Sequence, residues 1–353
     1  MQRTDLQSTE LKSLFSRLLG CKAVSIEEIG WGRNSRVYQL RCEGPLTYAA
    51  KLYFTPHLNG RNRQEAEYSS LNFLWENGIR CIPRPIAVDW DRGCAVYEYI
   101  NGSKISSKEV TNSDINFAVE FLEKLKNIKD RSGSRELPKA SEACFSVQAI
   151  VRNIEIRMNR LSELKSIEIQ YTALKEFLEK DFEPSFHKIS EWSKLNLEQE
   201  GMSFVSELPY EERTLSPSDF GFHNALRLNE GRIVFLDFEH FGWDDPAKMV
   251  SDFLLHPEMK LDRSLKKQFV VRILRSFGDS KDLAKRIEIE YPLFGLKWCM
   301  ILLNEFVPEH LQRRGFASKG GLDRSNLQVE QLKKAKQMLH RVMNEYECFP
   351  FNV

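Results

Sequence analysis

Asp219, Asn224 and Asp237 are polar residues placed around one predicted hairpin, in the segment 215–246. Asp219 and Asn224 stand in a turn-rich stretch, where both residue types are common for conformational reasons alone. Asp237 ends the apolar run at 233–236, and a carboxylate at the inner end of a buried strand needs a partner. Mg²⁺ takes oxygen ligands of this kind, and the spacing leaves Asp219 to accept a proton from a hydroxyl. The three residues are therefore either solvated turn residues or a site for a metal ion and a proton.

Lys51 is the second candidate, because it lies in the apolar, strand-like stretch YAAKLYF. Either it snorkels on an exposed strand face, or its ammonium has a buried partner. Glu67 is the candidate partner, since it precedes Leu71 by one helical turn and Leu74 by two, on the inner face of the next predicted helix. Glu65 points roughly 200° away around that helix. A lysine held by a glutamate in this way could bind two phosphates of a nucleotide.

A glycine-containing turn, GWGRNS at 30–35, lies between two strand-like pieces before Lys51. Gly30 and Gly32 would let backbone N–H groups approach a phosphate closely, and Ser35 is the last residue of the turn. Glycine is also what an ordinary hairpin turn needs. Both interpretations stay open on this turn alone.

The predicted elements that position these residues change character near residue 100. Before it, the pattern predicts an amphipathic helix in residues 1–20, strands at 37–40 and 48–53, a helix at 63–77 and two strands around an Asp-Arg-Gly turn. After it, the predicted helices cover 113–128, 146–164, 167–180 and 186–199, and helices resume beyond the hairpin. The predicted fold class is α+β with two lobes, 1–100 for nucleotide binding and 101–353 mainly helical, with the ligand site between them.

Composition and charge narrow the class of protein. The chain has 353 residues, of which 42% are hydrophobic and 29% charged, as in ordinary soluble globular proteins. A net charge of +1 gives no support to nucleic-acid binding, and no apolar run approaches the roughly 20 residues of a membrane span. Seven scattered cysteines without a C-x-x-C pair predict reduced thiols. We expect a cytoplasmic protein with no membrane or nucleic-acid partner, and the oligomeric state stays open.

The order of these motifs resembles a known family. The glycine turn, Lys51, Glu67, the D-x-x-x-x-N pattern of SDFGFHN and the strand-ending aspartate of LDFEH resemble the aminoglycoside phosphotransferase and choline/ethanolamine kinase family of the protein-kinase-like superfamily. The short separation of Asn224 from Asp237, with no Ala-Pro-Glu segment downstream, distinguishes the chain from eukaryotic-type protein kinases. The resemblance covers residues 28–255, of which 103–210 are poorly specified by motif.

That resemblance implies a protein-kinase-like two-lobe fold and an ATP-dependent phosphotransferase acting on a hydroxyl group, with Mg²⁺ as cofactor. It implies that Lys51 binds the α- and β-phosphates, that Glu67 orients Lys51, and that Asp219 is the catalytic base. Asn224 and Asp237 would hold Mg²⁺. Catalysis would come mainly from positioning and charge neutralisation.

Other positions carry weaker implications of the same resemblance. The stretch YEYING resembles the family's hinge, so Glu98 and Ile100 would present backbone groups to adenine. Glu239 is expected to brace the metal loop, with a direct metal or substrate role as the alternative, and Asp252 is expected to be a structural acid. Pro217 departs from the family, which has histidine two residues before the base. A proline with fixed φ could supply rigidity there by another route.

The acceptor is the least defined part of the prediction. Acidic and aromatic groups would suit a cationic acceptor such as choline or an aminoglycoside. The candidates are Trp243, Asp244, Asp245, Trp298 and Glu305. Trp298 could equally be a core residue, since apolar helices usually bury their aromatic side chains, and Arg313 and Arg314 could meet an anionic acceptor. The predicted acceptor is a small molecule bearing a sugar, polyol or amino-alcohol hydroxyl.

Two alternatives to a small-molecule kinase stay open. One is a catalytically weak or silent kinase-like protein that binds a nucleotide or a partner, for which Pro217 is the main support. The other is a kinase with a macromolecular acceptor, protein or RNA, although the near-zero net charge gives RNA no help.

Overall fold

The N-terminal lobe is built on an antiparallel sheet, and the structure, a computed structural model, describes residues 8–31, 35–54, 61–166, 168–311 and 323–351. The strands are β1 (Ala23–Trp31), β2 (Ser35–Cys42), β3 (Thr47–Tyr53), β4 (Pro85–Asp89) and β5 (Cys94–Glu98). They pair in the order β1-β2-β3-β5-β4, with each neighbour antiparallel. The strands predicted at 37–40 and 48–53 therefore lie next to each other in this antiparallel sheet.

One helix covers each face of this sheet. On one face, α1 (Ser8–Leu19) packs Leu11, Leu14 and Phe15 into a small core of its own. On the other face, α2 (Arg63–Glu76) begins at Asn62, whose side chain accepts the Glu65 N–H as an N-cap. Because side chains alternate along a strand, Ala50 of β3 lies on the first face, whereas Lys51 and Tyr53 lie on the second. The second face is continuous with the large core of the protein.

The C-terminal lobe is mainly helical, and its predicted helices are largely present. Its helices are α3 (Asn112–Ile128), α4 (Val147–Ser162), α5 (Ile169–Phe177), α6 (Glu183–Gln199), α7 (Pro246–Leu255), α8 (Arg263–Ser276), α9 (Lys281–Leu302) and α10 (Arg324–Glu345). Thr111 and Asp114 form a reciprocal capping box that starts α3, and Ser146 caps α4. The predicted bounds 113–128 and 146–164 agree with α3 and α4 to within a few residues.

The two predicted helices at 167–180 and 186–199 differ from the structure, where α5 and α6 are joined by helical backbone. A π-helical turn, Leu178–Phe182, connects them without a break. Pro184, in the first turn of α6, lacks the N–H that a regular α-helix would use, and a widened turn just before it accommodates that loss. Residue 167 lies outside the described residues.

The predicted hairpin at 215–246 consists of two nested pairs of short strands. In the inner pair, β8 (Ala225–Arg227) runs antiparallel to β9 (Ile233–Phe235), and β6 (Ser103–Lys104) adds to β8. In the outer pair, β7 (Thr214–Ser216) runs antiparallel to β10 (Gly242–Asp244). This nesting brings the loop after β7 and the loop after β9 to the same end of the hairpin.

These observations confirm the predicted α+β architecture of a sheet lobe followed by a helical lobe. The boundary at residues 100/101 stays a prediction. Among the described residues, no helix combines the length and the apolar character that crossing a membrane requires.

Candidate active site

Lys51 lies at the centre of a buried ionic cluster between the sheet and α2. Its Nζ is 2.6 Å from Glu67 Oε2 and 2.7 Å from Asp237 Oδ1. The Tyr53 hydroxyl also donates to Glu67 Oε2, at 2.7 Å, and the Phe238 N–H donates to Oε1. Lys51 and Glu67 are only 7% and 4% exposed. The expected contact between Lys51 and Glu67 is thus present, and Lys51 does not snorkel to solvent.

Asp237 reaches Lys51 from the turn that follows β9, two residues after the strand ends at Phe235. The residues of β9 are buried, and the chain returns to the core at Phe238, so Asp237 is the polar residue of the turn between them. It has a φ of +63°, which is uncommon for a residue other than glycine. That backbone conformation is maintained at the point where the side chain meets Lys51, as at many functional sites.

The charges in this cluster shift the pKa values of its members. Burial would lower the pKa of Lys51, but Asp237, Glu67 and Glu239 together raise it well above its usual value. Burial raises the pKa of Glu67 and of Asp237, although Lys51 opposes the shift in both cases. Several carboxylates therefore share one ammonium, and the cluster would accept a further cation.

Glu239 is buried beside the same cluster and is surrounded by basic groups. Its carboxylate lies 3.8 Å from Lys51 Nζ, 3.8 Å from Arg63 Nε and 3.3 Å from His240 Nε2. Arg61 donates to the backbone carbonyls of Glu239 and Phe241 at 3.1 and 2.5 Å. These contacts brace the loop after β9, in agreement with the first of the two roles expected for Glu239. The loop is thereby tied to the start of α2.

Asp219 lies in the loop that follows β7. The preceding residue, Ser218, has a φ of +66°, and its Oγ donates to the Ser141 carbonyl at 2.9 Å. The Asp219 N–H donates to the Pro217 carbonyl at 2.9 Å, and Asn224 Nδ2 donates to the Asp219 carbonyl at 3.0 Å. The carbonyl of Asn224 accepts the Leu236 N–H at 2.8 Å. The loop is thus joined directly to the segment that ends in Asp237.

Two histidines that the sequence interpretation missed meet the carboxylate of Asp219. His223 Nε2 and His256 Nε2 both lie 3.1 Å from Asp219 Oδ1. Burial would raise the pKa of Asp219, but these two imidazoles lower it well below its usual value. A local signal existed for His223, since it is one helical turn after Asp219 and adjacent to Asn224. His256 follows α7, and nothing near it in the sequence indicates its contact.

Lys248, which also lies beside this loop, is a further residue that the sequence interpretation missed. Its side chain is 1% exposed, and its Nζ contacts Asp244 Oδ2 at 2.8 Å, Asp252 Oδ2 at 2.9 Å and Ser218 Oγ at 3.1 Å. Lys248 and Asp252 are four residues apart on α7, a spacing that could have predicted their pair. Asp252 is therefore a structural acid, as expected.

A cleft of about 760 Å³ contains this region and continues into the helical lobe. Its lining includes Asp219, Asn224, Asp237 and Glu239. It also includes charged and polar side chains of the helical lobe, among them Glu142, Arg157, Lys297, Trp298, Asn304 and Glu305. The predicted base and the two predicted metal ligands therefore face one common space.

Among the described residues, those predicted to contact the rest of the nucleotide lie outside the lining of this cleft. Gly30 is in β1 opposite Val37, and Ser35 is buried at the start of β2 opposite Tyr53. Gly32 lies outside the described residues. Glu98 ends β5, and the carbonyl of Ile100 accepts the Gly102 N–H at 3.1 Å.

Several candidates for acceptor contacts have internal partners instead. Trp243 Nε1 donates to the Ser134 carbonyl, Asp244 pairs with Lys248, and Asp245 caps α7 and contacts Arg286. Trp243, Asp244 and Asp245 are buried and do not line the cleft, so they do not support a cationic acceptor. Trp298 and Glu305 do line it, whereas residues 313 and 314 lie outside the described residues.

Solved structures that resemble this chain over nearly its whole length are phosphotransferases. Spectinomycin phosphotransferase in complex with ADP and spectinomycin matches with a TM-score of 0.67 and 16% identity, over 96% of this chain and 99% of that chain. The choline kinase LicA from Streptococcus pneumoniae matches with a TM-score of 0.58 and 15% identity, over 94% and 98%. A Plasmodium vivax ethanolamine kinase matches with a TM-score of 0.58 and 13% identity, over 95% of both chains. No family model matches the sequence, and no curated protein matches it.

The chain has the protein-kinase-like two-lobe fold. The fold expected from the motif order is therefore confirmed, and the structures that share it are aminoglycoside phosphotransferases and choline/ethanolamine kinases. At 13–16% identity this likeness concerns the fold, because one fold can carry different activities.

Proposed function

We propose that the protein transfers the γ-phosphate of ATP to a hydroxyl group of a small molecule, with Mg²⁺ as cofactor. The observation that carries this proposal is the convergence of groups that are far apart in the sequence. Lys51 and Glu67 from the sheet lobe meet Asp237, and Asp237 shares one cleft with Asp219 and Asn224. An independent turn residue would have no reason to pair with a buried lysine 186 positions away, as Asp237 does.

The proposed roles follow the chemistry of each group. Lys51 binds the α- and β-phosphates and Glu67 fixes its orientation, while Asp219 accepts the proton of the attacking hydroxyl. The turn that contains Gly30, Gly32 and Ser35 covers the phosphates. The backbone of Glu98 and Ile100 meets adenine, and ADP in the complex of spectinomycin phosphotransferase supports a nucleotide site in this fold.

The residues present fit Mg²⁺. Carboxylate oxygens of Glu67, Asp237 and Glu239 all lie within 4.8 Å of one another, and oxygen donors are what Mg²⁺ prefers. The pKa of Asp237 is raised by burial, so an added cation would stabilise its ionised form. We propose Asn224 and Asp237 as the metal ligands. When bound, Mg²⁺ would neutralise charge on the transferring phosphoryl group.

Lys51 contacts Asp237 directly in this structure, at 2.7 Å. We expect nucleotide phosphates to accept hydrogen bonds from the Lys51 ammonium in place of Asp237, because a phosphate is a strong acceptor for a cationic donor. Asp237 would then be available to a metal ion. Lys51 would keep its hydrogen bond to Glu67, which holds it in place. The arrangement allows the exchange without leaving a buried charge unpaired.

A small-molecule acceptor agrees with the dimensions of the cleft, since about 760 Å³ is within the usual range of small-ligand pockets. Similar structures were solved with spectinomycin and with gentamicin, which are polyhydroxylated molecules. We propose a sugar, amino alcohol or aminoglycoside-like acceptor for this chain. All seven cysteines are free thiols, which supports a cytoplasmic location. We also propose residues 1–100 and 101–353 as the two lobes.

The test is Mg²⁺-dependent ADP formation against a panel of sugars, amino alcohols and aminoglycosides. Wild-type protein should turn over at least one of them. Asp237→Ala should lose turnover and weaken Mg²⁺-dependent ATP binding about tenfold or more, because it removes a charged ligand. Asp130→Ala, at an exposed loop position, is the matched control and should change neither.

No turnover with any acceptor, combined with unchanged ATP affinity in Asp237→Ala, would contradict the proposal. Tight Mg²⁺-dependent ATP binding without turnover would favour the silent kinase-like protein. Turnover only with a protein or RNA acceptor would replace the small molecule by a macromolecule.

A further inference from the structure

The carboxylate of Asp219 is held at one oxygen by two stacked histidines. His223 and His256 lie face to face, with ring centroids 3.9 Å apart and an interplanar angle of 8°. Both Nε2 atoms are 3.1 Å from Asp219 Oδ1. Within the described part of the chain, no side chain or backbone group hydrogen-bonds Oδ2. The two oxygens of one carboxylate therefore have different surroundings.

The protons of this cluster can be assigned from its partners. An ionised carboxylate only accepts hydrogen bonds, so an imidazole Nε2 that binds Asp219 Oδ1 must carry a proton. On His256, Nδ1 accepts the Glu258 N–H at 3.2 Å, which requires a lone pair there. His256 is thus the neutral tautomer protonated at Nε2. On His223, Nδ1 is buried with no hydrogen-bond partner among the described residues, which leaves Nε2 as its donor.

A ring of contacts ties His256 to the loop that carries Asp219. The rings of Trp298 and His256 are nearly perpendicular, with centroids 4.8 Å apart and an interplanar angle of 85°, and Trp298 Nε1 donates to Asp252 Oδ1 at 2.9 Å. Asp252 pairs with Lys248, and Lys248 Nζ returns to Ser218 Oγ at 3.1 Å. The circuit therefore starts and ends at neighbouring residues of one loop. It joins α7 and α9 to that loop through side chains that are mostly buried.

The same three groups could be read as a metal site, since their donor atoms lie within 4.8 Å of one another. The ring geometry argues against it. An imidazole binds a metal ion through a lone pair in its ring plane, and two parallel rings 3.9 Å apart cannot both contain one ion in their planes.

We infer that His223 and His256 are positioning residues, which hold Asp219 by Oδ1 so that Oδ2 faces the hydroxyl of the acceptor. This inference rests on the proposed function, in which Asp219 accepts the proton of that hydroxyl. The pair adds side-chain contacts to a loop in which Ser218 adopts a strained positive φ beside Pro217. Trp298 acts on the same carboxylate one step further away, through His256.

The experiment compares two substitutions at each histidine. Gln places an N–H donor close to the position of Nε2, whereas Phe keeps the ring and the stack but has no donor. If the donor matters, His256→Phe and His223→Phe should lower kcat about 10²-fold, as expected when a reacting group is misplaced, and Gln should restore most of it. KM for ATP should not change, because the Lys51 cluster is untouched. His340→Gln and His340→Phe, at an exposed position on α10, are controls for the substitution itself.

The assay measures ADP release from Mg²⁺-ATP, first with water as the only acceptor and then with the best acceptor of the panel. If Phe is tolerated and Gln is not, the histidines serve packing and the inference is wrong. Stoichiometric Zn²⁺ binding by wild type that is lost in His256→Phe would also overturn it. Melting temperatures separate these outcomes from loss of folding.

A second measurement does not depend on turnover. In ¹⁵N-histidine-labelled wild type at about pH 8, where a free imidazole is neutral, both residues should be protonated at Nε2. Asp219→Ala should shift the Nε2 resonances of both and leave that of His340 unchanged. A wild type that shows this pattern but no turnover would contradict the proposed function alone, whereas Nδ1 protonation of His256 would contradict the positioning inference alone.

Discussion

Two groups of residues beside the cleft, called here the Lys51 end and the Asp219 end, hold their carboxylates in opposite ways. At the Lys51 end, one ammonium is shared by Glu67 and Asp237, with Glu239 at 3.8 Å, and burial raises the pKa of the first two. At the Asp219 end, one carboxylate is shared by two imidazoles, and its pKa is lowered. At the first end, an added cation would stabilise the ionised forms of the two carboxylates that share Lys51. The second end is already charge-compensated and is suited to presenting one oriented oxygen.

The largest effect is expected at the Asp219 end. Asp219→Asn should reduce kcat by about 10²- to 10⁴-fold, the usual contribution of a general base. ATP affinity should stay near that of wild type, because the base acts in the transition state. Steady-state kinetics and ATP titration check both values. A large loss of ATP binding would mean that Asp219 contributes to nucleotide binding as well as to catalysis.

Removing the shared ammonium should affect stability as well as nucleotide use. Lys51→Met leaves Glu67 buried without its cation, and breaking a buried ion pair costs about 3–5 kcal/mol. Denaturant unfolding of Lys51→Met should show a loss of this order, and KM for ATP should rise. Lys104→Met, at an exposed strand position, is the control. Unaltered stability and kinetics would mean that Lys51 has no role in the cluster.

A matched pair of glutamates on α2 tests the orientation of Lys51. Glu67→Gln should weaken ATP binding about tenfold, since a hydrogen bond to a charged group contributes about 1.5–3 kcal/mol. Glu65→Gln should have no effect, because Glu65 is exposed and contacts Asn62. Equal effects of the two changes would argue against a specific contact between Glu67 and Lys51.

The smallest effect is expected for Glu142, which lines the cleft. Burial would raise the pKa of Glu142, but Lys297 and Arg157 lower it to about 2, below its ordinary value of 4.5. A lowered folded-state pKa stabilises the protein above about pH 4.5, and this contribution is lost as the pH falls towards 2. Wild type and Glu142→Gln should therefore differ by about 1 kcal/mol or less at pH 7, since the side chain is 36% exposed and screened by solvent.

Unfolding free energies of the two proteins, measured at intervals between pH 7 and pH 3, check this prediction. The difference should shrink as the pH falls. A difference that grows towards low pH would have the wrong sign for a carboxylate held by two cations.

The sequence predicted the Lys51 end better than the Asp219 end. Lys51 and Glu67 could be paired because strand and helix periodicity assign each side chain to a face, and Asp237 was marked by the apolar run before it. His256 and Trp298 could not be placed, because their contacts depend on how α7 and α9 pack against the loop after β7. Trp298 was assigned either to the core or to the acceptor, and it is half-buried between Asp252 and His256.

Among secondary structure elements, the predictions were most accurate where capping residues mark a boundary. Thr111, Ser146 and Asn62 cap α3, α4 and α2, whose bounds were predicted closely. The join between α5 and α6 was missed, since Pro184 normally indicates a break. Helical backbone continues there because a single π-turn absorbs the missing hydrogen bond.

The long-range contact between Lys51 and Asp237 has a consequence for protein synthesis. The two residues are separated by 186 positions along the chain, whereas Lys51 and Glu67 are separated by 16. A chain that emerges from the ribosome N-terminus first can pair Lys51 with Glu67 well before Asp237 exists. A nascent chain released or stalled before residue 237 would contain the sheet and α2 but only part of the ionic cluster.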